Sequence, residues 1–154
     1  MHDRHRTARR LQRLPAFRIA DGEPDIRGWI TVAHDGYRIG RVHDVILDLA
    51  TGQVRHLEIR LDRDVAGRAQ TDRLVIPIAA LEVSASRRQV HLRGVRRDEL
   101  VDAPQFGAAP IGEREERWLR RFYRCDRIAG DAARFWGVRR RGRERSPYAR
   151  VPLA

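Results

Sequence analysis

The chain of 154 residues is long enough for one compact core with extensions and too short for two. Its formal charge of +11 arises from 32 basic residues, every one an arginine, against 21 acids. A single cysteine, Cys125, excludes an internal disulfide framework and suits a reducing cytoplasm. The longest apolar run, Leu74 to Leu81, falls far short of the roughly 20 residues a membrane-crossing helix needs.

The charge is unevenly placed. Residues 1 to 18 carry six arginines against Asp3, residues 19 to 111 carry thirteen against fourteen acids, and residues 112 to 154 carry thirteen against six. A near-neutral middle between two cationic ends predicts a folded domain with arms drawn to phosphates, anionic headgroups or an acidic protein face. The first eighteen residues hold too little apolar surface to offset the entropy of ordering them and read as a flexible basic arm.

From Trp29 the pattern is that of strands. WITVAH (29 to 34) leads through Asp35-Gly36, a dipeptide that suits a type I′ hairpin turn, into RIGRVHDVILD (38 to 48). In that run Val42 lies on even positions while Val45 and Leu47 lie on odd ones, so the inward phase slips at His43 or Asp44, which predicts a β-bulge there. ATGQ (50 to 53) turns the chain into VRHLEIRL (54 to 61), with Leu57, Ile59 and Leu61 on an inner face and Glu58 and Arg60 on an outer one. Residues 62 to 72 are polar, contain Gly67 and read as a loop. LVIP (74 to 77) is a short buried strand ended by Pro77, and LEVS (81 to 84) with VHLR (90 to 93) forms a last hairpin. Five to six short antiparallel strands with close turns predict a mainly β fold, a small barrel or rolled sheet.

Beyond the sheet, a short helical turn is expected near Arg97 to Val101. EREERWLRRFYRC (113 to 125) reads as a helix, its acids Glu113, Glu115 and Glu116 at the start and Arg120, Arg121 and Arg124 toward the end, as the helix dipole favours. Trp118, Leu119, Phe122 and Tyr123 share one stripe, which predicts a face docked on the barrel. The expected organisation is therefore an arm over 1–18, a barrel domain over 19–111, an amphipathic helix over 112–126 and a basic tail over 127–154.

Catalytic signatures are sparse. There is no glycine-rich phosphate loop, zinc-type Cys/His spacing or nucleophile elbow, and His34, His43, His56 and His91 stand singly; the expectation is a non-enzymatic chain without cofactor or metal. The arms, with Arg9, Arg10 and Arg13 at one end and Phe135, Trp136, Arg139, Arg140 and Arg141 at the other, are candidate partner-binding segments. Arginine with interleaved aromatics fits either RNA phosphates and bases or a protein surface. Asp44 and Asp48 have two readings. Asp48 can pair with Arg55 across the hairpin while Asp44 satisfies donors at the bulge, or the acids can relay protons near a partner's redox site.

The series DIRGW (25 to 29), IGRVHDVILD (39 to 48), RHLEIRL (55 to 61), VIPI (75 to 78) and RRQVHLRGV (87 to 95) resembles the PRC-barrel family, over about half the chain. FRIADGEPDIRGW and DAPQFGAAPIGEREERWLRRFY extend the similarity to the cytoplasmic domain of photosynthetic reaction-centre H subunits. The resemblance implies a non-catalytic cap on the cytoplasmic face of a membrane complex, with Asp44, Asp48, Arg55 and Glu58 on positions that match the H-subunit strand pair. Thr51 and Arg60 stand where that pattern carries acids, which weighs docking above proton relay. H subunits also have an N-terminal membrane helix; its absence here implies a peripheral subunit docked through its arms, with core membrane subunits and anionic lipid headgroups as partners. The same barrel forms half of a ribosome-maturation factor, so a ribosome- or RNA-associated role, or that of a free-standing PRC-barrel protein, is the alternative.

Overall fold

A computed structural model of the protein describes residues 8–10, 17–19, 25–48, 53–106, 111–125 and 138–140. Short strands β1 (Ala8–Arg10) and β2 (Phe17–Ile19) precede the main meander. That meander is β3 (Ile30–Val32), β4 (Arg38–Asp48), β5 (Val54–Leu61) and, after helix α1 (Arg63–Ala69), β6 (Arg73–Pro77). A hairpin follows, β7 (Leu81–Ser84) and β8 (Gln89–Leu92), then helix α2 (Glu113–Phe122) and β9 (Val138–Arg140).

The main sheet runs β6-β5-β4-β3-β8-β7, with β1 added against the far end of β4. Its edge strands β6 and β7 are consecutive in the chain, joined only by the 3-10 turn Ile78–Ala80. Three residues of 3-10 helix advance about 6 Å, so the sheet has to curl until its edges approach, and a half-barrel results. Leu57, Ile59, Leu74, Ile76, Leu81, Val90 and Leu92 fill its interior, all buried.

The expected mainly β barrel is present, with one change of direction. All pairs in the path are antiparallel except β3 with β8, which are parallel, Thr31 opposite Val90. The β7–β8 hairpin is laid beside the start of the meander by the curl of the sheet, and strand direction there follows from topology, not from any local pattern.

The bulge falls where the phase slips. Val42 opposes Ile59 and Asp44 opposes Glu58, which leaves His43 as the extra residue. Upstream and downstream apolar sets then both reach the core, Val42, Val45 and Leu47 all being buried. A one-residue slip without a bulge would turn Val45 and Leu47 outward.

Three details differ from the sequence reading. The β3–β4 turn is not type I′, because Gly36 has φ +82° while Asp35 has no positive φ. Ala33 donates to the Tyr37 carbonyl (2.8 Å) and accepts from Gly36 N–H (2.9 Å), which is a three-residue loop needing glycine at one position only. The expected loop over 62 to 72 contains α1, whose apolar residues Val65 and Ala69, four apart, face the core. The terminal helix ends at Phe122, and Arg124 takes a left-handed conformation (φ +56°) beyond it. Near the termini, Ala8–Arg10 pairs with β4 and Phe17–Ile19 pairs with β9; the rest of the expected arm over 1–18 and tail over 127–154 lies outside the described residues.

Helix α2 packs on β6; Leu119 and, just past the helix end, Tyr123 are buried, with Phe122 partly so. The stripe docks as expected except at Trp118, which is 55% exposed and meets Phe106 edge-on, ring centroids 5.5 Å apart. Cys125 is buried just beyond the helix, in the core cluster.

Candidate functional site

The four residues singled out on the β4–β5 pair lie together. Asp44 and Glu58 are direct cross-strand partners beside the bulge, and Asp48 faces Arg55 where the same two strands approach their connecting turn. All three acids are buried. Two carboxylates opposite one another repel and lose hydration on burial, so the arrangement requires nearby cations and donors.

Those groups are present. The Asp44 carboxylate accepts the Val45 backbone N–H at 2.8 Å, the bulge donor the sequence reading assigned to it. Glu58 Oε1 lies 3.6 Å from the Arg73 guanidinium and 3.9 Å from His43 Nε2. The Arg55 guanidinium donates to the Asp48 carboxylate at 3.4 Å, as expected for the hairpin pair. Arg27 is held by Asp25, whose carboxyl its guanidinium keeps below the usual range, and it also feels the charge of Asp44. Glu58 was expected on the outer face of β5 with Arg60; Arg60 is exposed, whereas Glu58 is covered, with the Arg73 guanidinium of β6 and the imidazole of the bulged residue beside it. Alternation along one strand locates the face, but which face is covered depends on neighbours distant in sequence.

His56, one strand position before Leu57, acquires a role the sequence did not signal. It sits opposite Ile46 on one side and Pro77 on the other, with Glu116 and Arg120 of α2 among its nearest charges. Burial lowers its pKa to about 4, and its Nδ1 has no hydrogen-bond partner among the described residues. The imidazole is therefore neutral at physiological pH. Burial likewise pushes the Tyr123 hydroxyl up, out of the range in which it titrates.

No group of three or more His, Cys, Asp or Glu that could hold a metal ion occurs among the described residues. At the other end of the domain, Arg97 stacks over the exposed Tyr37 ring at 4.4 Å, donates its backbone N–H to Asp35 and lies 3.8 Å from Asp64. With Val65, Arg68 and Val101 it borders a hollow of about 20 Å³, room for one water and none for a metabolite.

Residues 23–98 match the PRC-barrel domain family. The chain carries a PRC-barrel domain. Among curated proteins none matches the chain. PRC-barrel domains are generally non-enzymatic; in this one Asp44, Asp48 and Glu58 are buried within the barrel. The PRC-barrel match spans the strands that bear Asp44, Asp48, Arg55 and Glu58 and stops before α2.

Of the segments that carry the candidate arm residues, β1 pairs with β4 next to this cluster, Ala8 opposite Asp48. Arg9 and Arg10 lie in β1 opposite Leu47 and Ile46, and Arg139 and Arg140 lie in β9 opposite Arg18 and Phe17. Arg13, Phe135, Trp136 and Arg141 lie outside the described residues. No helix among the described residues is long and apolar enough to cross a membrane.

Proposed function

We propose that this protein is a non-catalytic PRC-barrel adaptor that caps the cytoplasmic face of a membrane complex. Its most concrete form is a peripheral, H-subunit-like component of a photosynthetic reaction centre, acting in assembly or stabilisation. The observation that carries the reading is the state of Asp44, Asp48 and Glu58. They are buried and tied to strand partners, so they build the barrel and do not present acid–base groups to a substrate. What remains for a partner is the outer surface, and that surface is rich in exposed arginine, among them Arg114, Arg117 and Arg121 on α2. Similarity of the flanking motifs to H-subunit cytoplasmic domains supplies the kind of complex.

The test is copurification from the native host. A tagged chain is expected in the membrane fraction, migrating with a pigmented complex through detergent and size-exclusion steps. A chain that remains wholly in the soluble fraction, and never migrates with such a complex, sinks the proposal.

A further inference from the structure

The outward face of α2 carries a ridge of arginines that the barrel does not use. Arg114, Arg117 and Arg121 are all exposed, and at 3.6 residues per turn they fall within about 60° of one another around the helix axis. None of the three has an acidic partner among the described residues, whereas Arg120 is tied to Glu116 and Arg124 to Glu99. Glu113 is the one exposed acid of the helix and lies at its first turn. Beside the ridge stands Trp118, the most exposed large aromatic of the helix, braced by Phe106.

We infer that this face of α2 lies against an anionic lipid surface, with the three guanidiniums at the phosphates and the Trp118 indole in the headgroup layer. The inference rests on the adaptor reading and names its membrane-facing side. Three observations favour this occupant. The three cations, without an acidic partner among the described residues, complement an anionic surface, and the ridge extends about 10 Å along a convex helix, a shape that meets a plane more readily than it enters a strand-binding groove. An indole with a polar N–H and an apolar body suits a boundary that is wet on one side and apolar on the other. An acidic protein face would satisfy the arginines yet leave Trp118 without an apolar environment, and single-stranded nucleic acid is bound in positively charged grooves with open stacking faces, whereas Phe106 already packs on Trp118.

The experiment uses the purified full-length chain and two vesicle preparations, phosphatidylcholine alone and phosphatidylcholine mixed with phosphatidylglycerol. Sedimentation is expected only with the mixed vesicles and is expected to weaken with salt. Each arginine near an anionic surface is worth about fivefold in partitioning, so the variant R114Q/R117Q/R121Q should partition roughly a hundredfold less at low salt. Its circular dichroism and thermal midpoint should match the parent, since these side chains are exposed. Fluorescence quenching by brominated acyl chains should be reduced in Trp118→Phe. A triple variant that partitions like the parent overturns the inference, as does a Trp118→Phe protein quenched as strongly as the parent. Tighter binding to polyuridine RNA, unaffected by competing vesicles, overturns it too. Copurification with a membrane complex together with failure on vesicles would retire the lipid face while leaving the adaptor reading in place; binding to vesicles without any complex would do the reverse.

Discussion

His56 makes the acid stability of this domain calculable. In the unfolded chain it titrates near the ordinary value of 6.5, and in the folded domain burial depresses it to about 4. Between those values the unfolded state binds more protons than the folded one, so stability is full above pH 6.5 and falls as the pH drops toward 4. The shift of about 2.5 units corresponds to about 3 kcal/mol once the pH lies below both values, and about 2 kcal/mol is lost already at pH 5. The side chain is fully buried, so screening by solvent does not dilute the effect. The groups that oppose or assist protonation are Glu116 and Arg120 on α2 and Arg55 on β5. His56→Leu keeps similar volume, removes the titration and leaves every carboxylate in place. Guanidinium unfolding of both proteins at pH 7.5, 6 and 5 isolates the term: the parent should lose about 2 kcal/mol more than His56→Leu between the first and last pH. Parallel loss of stability in the two proteins would refute the assignment of His56 as a buried neutral imidazole.

Gly40→Ala should prevent stable folding, because a Cβ there would lie 2.0 Å from the Arg60 carbonyl oxygen, a backbone atom; a cost of about 3 kcal/mol or more is expected by chemical denaturation, and a near-neutral variant would contradict the strand contact. Leu119→Ala removes the fully buried anchor of α2 and should cost about 2–5 kcal/mol, with loss of protection of the α2 amides in hydrogen exchange as the specific readout. Arg55→Ala removes a cation that pairs with the buried Asp48 and should destabilise by about 1–2 kcal/mol in chemical denaturation, more than Arg55→Lys, which keeps the charge. Equal loss in Arg55→Ala and Arg55→Lys would mean that charge does not hold the pair.

Much of the barrel is legible in local pattern. The extents of β4, β5 and β7 follow from apolar alternation and turn residues, and the bulge at His43 follows from the change of phase between Val42 and Val45. The Asp48–Arg55 pair follows from hairpin geometry, since both flank one turn. Less legible is α1, whose seven residues include Gly67 and have only Val65 and Ala69 to mark an inner face. A short helix of that composition has little intrinsic stability, and it exists because the barrel supplies the surface those two residues cover.

The sequence by itself determined what repeats at short range: strand identity, the bulge, the dipole-matched charges of α2 and the near neutrality of the barrel between cationic arms. Tertiary structure decided which chemically similar residues differ in role. Glu58 is buried while Arg60, two positions on, meets solvent; His56 is dehydrated beneath α2 while His43 flanks Glu58; Leu119 anchors the helix while the adjacent Trp118 faces outward. The physical reason is that periodicity reports which residues share a face. Whether a face is covered, and by which charges, depends on elements brought together by the curl of the sheet, and burial and electrostatics act through space.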